Sequence, residues 1–187
     1  AIFRQHPEAV LRDGRGHPVH GGFLINRWIL GLDPTHPATQ EHVRRTVSTV
    51  VHEWGIPYLK LDFLYCGALP GKRYDPCRTR AQALRDGMKL IREAAGEETT
   101  IIGCGCPAGP ALGLVDAMRI SPDCAPTWYP KLFGLERPVR RDPSLPATRN
   151  AIRNSIERSF THRRWWWLDA DNLLVREQQQ VTAADVQ

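Results

Sequence analysis

Short apolar runs alternate along this chain with segments that carry apolar residues at helical spacing, and this alternation restricts the possible folds. Strands that alternate with helices indicate parallel βαβ units. A closed barrel of eight such units typically needs about 250 residues, whereas this chain has 187. The predicted fold class is therefore α/β, a partial (β/α)8 TIM barrel with about five of the eight βα units, in a single domain over residues 1–187. We predict five strands, at 23–30, 56–63, 99–102, 117–120 and 165–168.

Two segments between these strands have clear helical patterns. The first is expected to begin at a Thr39 cap and to end at Gly55, and the second to span about Arg78–Ala95. Shorter helical patterns lie near 110–114 and through 152–160. The expected apolar faces of the two main helices consist of Val43, Val47, Val50, Val51 and Trp54 in the first, and of Leu84, Met88, Ile91 and Ala95 in the second.

Composition excludes several classes of protein. The net charge of +5 comes from 25 Lys and Arg against 20 Asp and Glu, but the cations are scattered except at 137–141 and 162–164. Nucleic-acid binding favours clustered cations with interleaved aromatic residues, so no nucleic-acid partner is expected. No apolar run approaches the ~20 residues of a membrane span, so no membrane association is expected. Five cysteines form no small-domain disulfide framework, which favours reduced thiols and a cytoplasmic location.

The strand predicted at 56–63 contains the sharpest local pattern. Alternation places Tyr58, Lys60 and Asp62 on one face and apolar residues on the other. Opposite charges on the inner face of a buried parallel strand are costly unless they pair or serve a site. Two interpretations stay open from this pattern, a buried Lys60–Asp62 ion pair that fixes strand register and a functional carboxylate.

A second carboxylate follows the strand predicted at 117–120, where Arg119 lies within the strand and Asp123 just beyond its end. The active site of a β/α barrel is built from the C-terminal ends of its strands, so Asp62 and Asp123 are expected to converge. Two carboxylates that face one pocket are the minimal set for glycoside hydrolysis. Lys60 and Arg119 would then keep Asp62 ionised, while the negative neighbour would raise the proton affinity of Asp123. The alternative is that Asp123 is a turn residue after Ser-Pro.

Four motifs in fixed order give the chain a resemblance to a known family. They are Tyr58-Leu59-Lys60-Leu61-Asp62-Phe63, Gly103-Cys104-Gly105-Cys106-Pro107, Asp116 to Asp123 with Trp128 downstream, and Trp166 to Arg176. From His6 to Arg176 the chain resembles the melibiase-type α-galactosidases of glycoside hydrolase family thirty-six and its clan. The resemblance implies a catalytic-domain fragment of a (β/α)8 barrel with a retaining mechanism.

The resemblance also implies roles for individual residues. Asp62 would be the nucleophile and Lys60 a ligand of sugar hydroxyls, because they match the lysine-x-aspartate motif of the family. Asp123 would be the general acid/base and Arg119 a contact that lines the pocket, because they match the arginine-x-x-x-aspartate motif.

Three further residues are expected to contact the sugar. Cys104 matches a family motif that lines the sugar pocket, and Trp128 could pack an aromatic face against a pyranose. Asp33, at the end of the first predicted strand, is added as a substrate-binding candidate. No cofactor and no metal are expected, since Cys104-x-Cys106 has no second Cys/His pair at finger-like spacing.

The chain also departs from the family pattern. It has Asp169-Ala170-Asp171 where the family usually has Asn-Asp-Pro-Asp, so the local turn is altered. It starts at Ala1 with neither Met nor a leader, which we interpret as an internal start. The first two barrel strands and the last are not recognised, so we expect little activity from the chain alone. Open strand edges would favour a homo-oligomer or a larger polypeptide.

The predicted function is hydrolysis of oligosaccharides that carry a terminal α-galactose, with the α-galactoside as the partner. One alternative is a non-catalytic sugar-binding barrel. Another is a transglycosylase that moves galactose between sugars with the same carboxylates. Residues Trp165 to Trp167 could form a sugar platform, but alternation sends Trp166 to the opposite side, so at least one is expected in the core.

Overall fold

The computed structural model describes residues 2–24 and 27–172. The chain divides into two compact units, Ala1–Asp116 (unit 1) and Ala117–Gln187 (unit 2). Both units combine helices with strands, so the predicted α/β class is confirmed. The arrangement of residues 1–187 as one barrel domain stays a prediction. Among the described residues, no helix is both long and apolar enough to cross a bilayer.

Unit 1 contains an antiparallel strand pair where a single strand was predicted. β1 (His20–Leu24) pairs with β2 (Arg27–Leu30), and Phe23 faces Trp28 in the register. The prediction of one strand over 23–30 is therefore wrong, and its residues 25 and 26 lie outside the described part. In the sequence, Asn26 and Arg27 interrupt the apolar run, and such a polar pair favours two short strands over one long strand.

The described part of unit 1 contains four α-helices and a parallel strand pair. The helices are α1 (Ile2–Gln5), α2 (Pro37–Ser48), α3 (Arg80–Ala95) and α4 (Ala108–Ala111). β3 (Tyr58–Leu61) runs parallel to β4 (Thr100–Gly103), with Tyr58 opposite Thr100. Since α3 lies between these strands in the chain, they form the βαβ unit that the pattern predicted.

The start of α2 differs from the prediction. Its N-cap is His36, whose Nδ1 accepts a hydrogen bond from the Ala38 backbone N–H at 3.1 Å. Pro37 occupies the first helical position, where its missing N–H costs nothing. The predicted Thr39 cap is therefore wrong, and Thr39 is instead buried inside the first turn.

The end of α2 widens into one π-helical turn, Thr49–Glu53, in which the Trp54 N–H donates to the Thr49 carbonyl. The wider turn breaks the 3.6-residue period on which the expected apolar face rests. Trp54 was expected on that face and is 66% exposed, so that expectation is wrong. Val47, before the π turn, is buried as expected.

The helix α3 follows its prediction closely. Thr79 and Gln82 form a capping box at its start, and Gly96, with φ +80°, follows its last residue. Leu84, Met88 and Ala95 are buried on its inner face, as the spacing predicted. α2 and α3 pack against each other, which gives unit 1 its helical layer.

Unit 2 repeats the strand–helix–strand order. β5 (Ala117–Arg119) runs parallel to β6 (Trp167–Asp169), and α5 (Thr148–Arg158) lies between them in the chain. Arg119 faces Asp169 in the register. This register brings the ends of both strands together and thereby positions the residues that follow each strand.

The tryptophan run at β6 divides as alternation predicted. Trp166 is 5% exposed, whereas Trp165 and Trp167 are 47% and 58% exposed. The expectation that at least one of them lies in the core is confirmed. An exposed sugar platform formed by Trp165 and Trp167 stays a prediction.

Candidate active site

The strand β3 exposes alternate residues, and these include two site candidates. Tyr58, Lys60 and Asp62 are exposed, while Leu59 and Leu61 are partly buried. The predicted shared face of the three polar residues is confirmed. Because Lys60 and Asp62 are both exposed, a buried ion pair between them does not describe this strand.

The carboxylate of Asp62 is held by the turn that follows β3. Its Oδ1 accepts a hydrogen bond from the Phe63 backbone N–H at 2.7 Å. Phe63 has a φ of +55°, a left-handed conformation that is costly for a bulky side chain. The chain then enters a short 3-10 turn, Leu64–Ala68. The strained turn fixes the backbone immediately after the predicted nucleophile.

The loop after β4 supports this turn through its glycine. A side chain at Gly105, whose φ is +52°, would lie 3.3 Å from the Phe63 backbone nitrogen. The Gly105 carbonyl accepts a hydrogen bond from the Tyr65 N–H at 2.8 Å. The two loops approach each other closely because this position has no side chain. Gly105 therefore permits this close approach beside Cys104, the predicted pocket-lining residue.

Cys104 is brought to the end of β3 by the sheet. Its backbone N–H donates to the Leu61 carbonyl at 2.8 Å, and the residue is 8% exposed. Burial raises the pKa of the neighbouring Cys106 thiol to about 11, and Cys104 adds to the effect. In residues 2–24 and 27–172, no cluster of three or more His, Cys, Asp or Glu side chains is arranged to hold a metal ion.

Asp33 is buried among hydrogen-bond donors of its own unit. It is 3% exposed, and its Oδ1 accepts from the Thr35 N–H at 3.0 Å and the Thr35 hydroxyl at 2.8 Å. Its Oδ2 accepts from the Tyr74 N–H at 2.6 Å. These bonds join the start of α2 to the segment near Tyr74 and account for Asp33 without a ligand. Its predicted contact with sugar stays a prediction.

Arg119, at the end of β5, contacts two carboxylates. Its Nη2 lies 2.9 Å from Asp123 Oδ1 and 2.6 Å from Asp171 Oδ2. The Arg119 side chain is 5% exposed, that of Asp171 is 21% exposed and that of Asp123 is 78% exposed. The structure thus brings Arg119 and Asp123 together.

Asp171 is the residue that sequence analysis missed. It was noted only as part of an altered turn, yet its Oδ2 also accepts the Cys124 N–H at 2.8 Å. It is 52 residues from Arg119 in the chain, so no local spacing connects the two. The parallel register of β5 and β6 is what connects them. The available signal in the sequence was the Asp at position 171, which matches the last Asp of the family motif.

Trp128 lies half-buried in the segment between Asp123 and α5. Its carbonyl accepts a hydrogen bond from the Arg149 N–H at 3.2 Å, which ties this segment to the first turn of α5. The next residue, Tyr129, has the Arg140 guanidinium 4.0 Å and that of Arg149 5.4 Å from its ring centre. The backbone near Trp128 is therefore anchored, while its predicted sugar contact stays a prediction.

The chain is similar to an α-galactosidase of known structure. No family model matches the sequence. The complex of TtGalA, an α-galactosidase from Thermus thermophilus, with p-nitrophenyl α-D-galactopyranoside has a TM-score of 0.77 and 34% identity over 98% of this chain. The chain is related to the α-galactosidases. The TtGalA complex with stachyose gives a TM-score of 0.76, again at 34% identity over 98% of this chain.

This relationship confirms the resemblance predicted from the four motifs. It also has a defined extent, because the chain covers 36% of the first TtGalA chain and 38% of the second. The chain therefore spans little more than a third of the length of the α-galactosidase that it matches.

Proposed function

We propose that this chain belongs to the catalytic barrel of a retaining glycoside hydrolase that releases terminal α-galactose from oligosaccharides. The observation that carries the proposal is 34% identity over 98% of the chain to TtGalA, an α-galactosidase solved with p-nitrophenyl α-D-galactopyranoside and with stachyose. A substrate of the same class, an α-galactoside, is the proposed partner.

In the proposed mechanism, Asp62 attacks the anomeric carbon as the bond to the leaving oxygen breaks, and Asp123 gives that oxygen its proton. Asp123 then takes a proton from water, which attacks the same carbon and releases Asp62. Asp62 directly follows β3, Asp123 lies four residues after β5, and both are exposed, which supports these roles because such strand ends form the active face of a β/α barrel. This chemistry needs no cofactor.

Binding of the sugar is assigned to other residues of the chain. Lys60 shares the exposed face of β3 with Asp62 and is proposed to contact sugar hydroxyls. Cys104 and Trp128 are proposed to line the pocket, and Asp33 is proposed to contact the substrate. Arg119 is assigned to the Asp123 side, since the two side chains are 2.9 Å apart.

The proposal includes a partial (β/α)8 barrel, supported by the parallel pairs β3–β4 and β5–β6. A cytoplasmic location is supported by the free state of all five cysteines. In the described part of unit 1, no strand pairs with the other edge of β3. An open edge favours association, so a homo-oligomer or a larger polypeptide is part of the proposal.

The test uses the full-length polypeptide that contains this sequence. Hydrolysis of p-nitrophenyl α-galactoside, followed by NMR of the first-formed sugar, should give α-galactose first. Asp62→Asn should lower kcat/KM for this substrate by at least about 10²-fold. Asp123→Asn should cause a loss of that size for phenyl α-galactoside, whose leaving group needs a proton. Asp86→Asn removes a carboxylate that pairs with Arg78 and should leave kcat/KM unchanged.

Other outcomes would replace the proposal. First formation of β-galactose would exclude the retaining mechanism. Binding of α-galactosides without turnover would indicate a sugar-binding barrel. Preferential transfer of galactose to an added sugar, in place of water, would indicate a transglycosylase.

A further inference from the structure

We infer that Asp171 is a positioning residue that sets the location and charge environment of the Asp123 acid/base. The inference rests on the proposed function, because it assigns Asp171 a task in that reaction. Asp171 acts through Arg119 and through the backbone beside Asp123, and it does not itself take part in bond making.

Two hydrogen bonds to one oxygen carry the argument. Asp171 Oδ2 accepts from Arg119 Nη2 at 2.6 Å and from the Cys124 backbone N–H at 2.8 Å. Arg119 is the ion-pair partner of Asp123, and Cys124 is the next residue in the chain. Asp171 therefore holds Asp123 in two ways. It binds the Arg119 side chain, which contacts the Asp123 carboxylate, and it binds the backbone N–H of Cys124, the residue after Asp123.

The burial of the three side chains indicates which of the two Arg119 ion pairs is stronger. The pair between Arg119 and Asp123 is weak, because Asp123 is 78% exposed and solvent screens an exposed ion pair. The pair between Arg119 and Asp171 is shorter, and both of its side chains are largely buried, at 5% and 21% exposure. Asp171 thus determines the position of the Arg119 guanidinium, and the guanidinium in turn orients the Asp123 carboxylate.

The same contact balances charge at the site. A general acid must hold a proton when the leaving group departs, and an uncompensated guanidinium beside Asp123 would oppose that protonation. Asp171 supplies a negative charge 2.6 Å from the same Nη2 atom. The guanidinium can therefore orient Asp123 while its positive charge is already compensated.

The backbone at position 171 limits the choice of informative variants. Asp171 has a φ of +66°, which Asn and Gly tolerate and other residues rarely adopt. Asp171→Asn keeps one oxygen that can accept both hydrogen bonds, removes the charge and replaces the other oxygen with an NH2 group. Asp171→Gly removes both the oxygen and the charge without adding backbone strain.

The test is the dependence of kcat/KM on the leaving group in the full-length polypeptide, using aryl α-galactosides from 2,4-dinitrophenyl to phenyl. Loss of acid catalysis should slow the phenyl substrate by about 10²–10⁴-fold in Asp123→Asn and spare the 2,4-dinitrophenyl substrate, whose leaving group needs no proton. Asp171→Gly should lower kcat/KM for the phenyl substrate at least about tenfold more than kcat/KM for the dinitrophenyl substrate. The corresponding loss in Asp171→Asn should be intermediate between that of Asp171→Gly and the unaltered protein.

The controls separate positioning from general structural damage. Asp142→Asn removes an exposed carboxylate of unit 2, which accepts hydrogen bonds from Ser144. This variant should leave kcat/KM for both aryl substrates unchanged. Labelling of Asp62 by a fluorinated α-galactosyl inactivator with an activated leaving group should proceed normally in both Asp171 variants. An equal loss on both aryl substrates in the Asp171 variants, or no loss on either, would overturn the inference.

The two hypotheses also fail in different ways. If Asp123→Asn depends on the leaving group as expected and the Asp171 variants do not, only the positioning role is wrong. If Asp123→Asn itself shows no such dependence, the acid/base assignment is wrong and the positioning role is lost with it.

Discussion

At the residue scale, left-handed backbone conformations adjoin both candidate carboxylates. Four non-glycine residues in the described part of the chain have a positive φ, namely Phe63, Phe133, Arg163 and Asp171. Phe63 directly follows Asp62, and Asp171 accepts a hydrogen bond from the residue after Asp123. Such conformations cost about 1–3 kcal/mol and persist only where surrounding structure enforces them. A strained turn therefore directly follows Asp62, whereas the left-handed residue near Asp123 is Asp171, which contacts the Asp123 segment through a hydrogen bond.

Burial of Cys106 predicts a slow alkylation of its thiol. Because burial raises the pKa of Cys106 to about 11, its thiol is neutral at pH 8 and reacts slowly with iodoacetamide, which attacks the thiolate. Cys77 is exposed and should be alkylated first. Peptide mass spectrometry over time gives both rates, and in urea the two cysteines should react at similar rates. Equal rates in the folded protein would contradict the burial of Cys106.

At the element scale, periodicity predicted what depends on local pattern. The helix α3 and the alternating exposure of β3 follow from spacing within single segments. The cap of α2 was missed because Pro37 moves the start of the helix to His36, outside the set of common capping residues. The pair β1–β2 was missed because a nearly continuous apolar run was read as one strand.

The capping box of α3 predicts a measurable stability. The Thr79 hydroxyl accepts a hydrogen bond from the Gln82 backbone N–H at 3.3 Å. The Gln82 side-chain Oε1 accepts one from the Thr79 backbone N–H at 3.0 Å. Thr79→Ala should lower the free energy of unfolding by about 1 kcal/mol in urea titration. Thr46→Ala is the matched control, because this exposed hydroxyl bonds only within α2, to the His42 carbonyl. A loss no larger than that of the control would contradict a stabilising role for the box.

At the scale of the whole molecule, the sequence names residues for the candidate site but does not encode the contacts between them. Asp62, Lys60, Arg119 and Asp123 stand out in short motifs, so strand alternation and the family resemblance were enough to select them. The link from Arg119 to Asp171 depends on the register between β5 and β6, which no local pattern encodes. Burial of Asp33 likewise depends on a segment about 40 residues away, near Tyr74.

In the proposed mechanism, Asp62 forms a covalent bond to galactose. The most direct measurement is whole-protein and peptide mass after incubation with a fluorinated α-galactosyl inactivator, on the full-length polypeptide and on the 187-residue chain. We predict a stable adduct on the Asp62 peptide of the full-length polypeptide, and little or none on the chain alone. An adduct on another carboxylate, or none on the full-length polypeptide, would contradict the role of Asp62 as nucleophile.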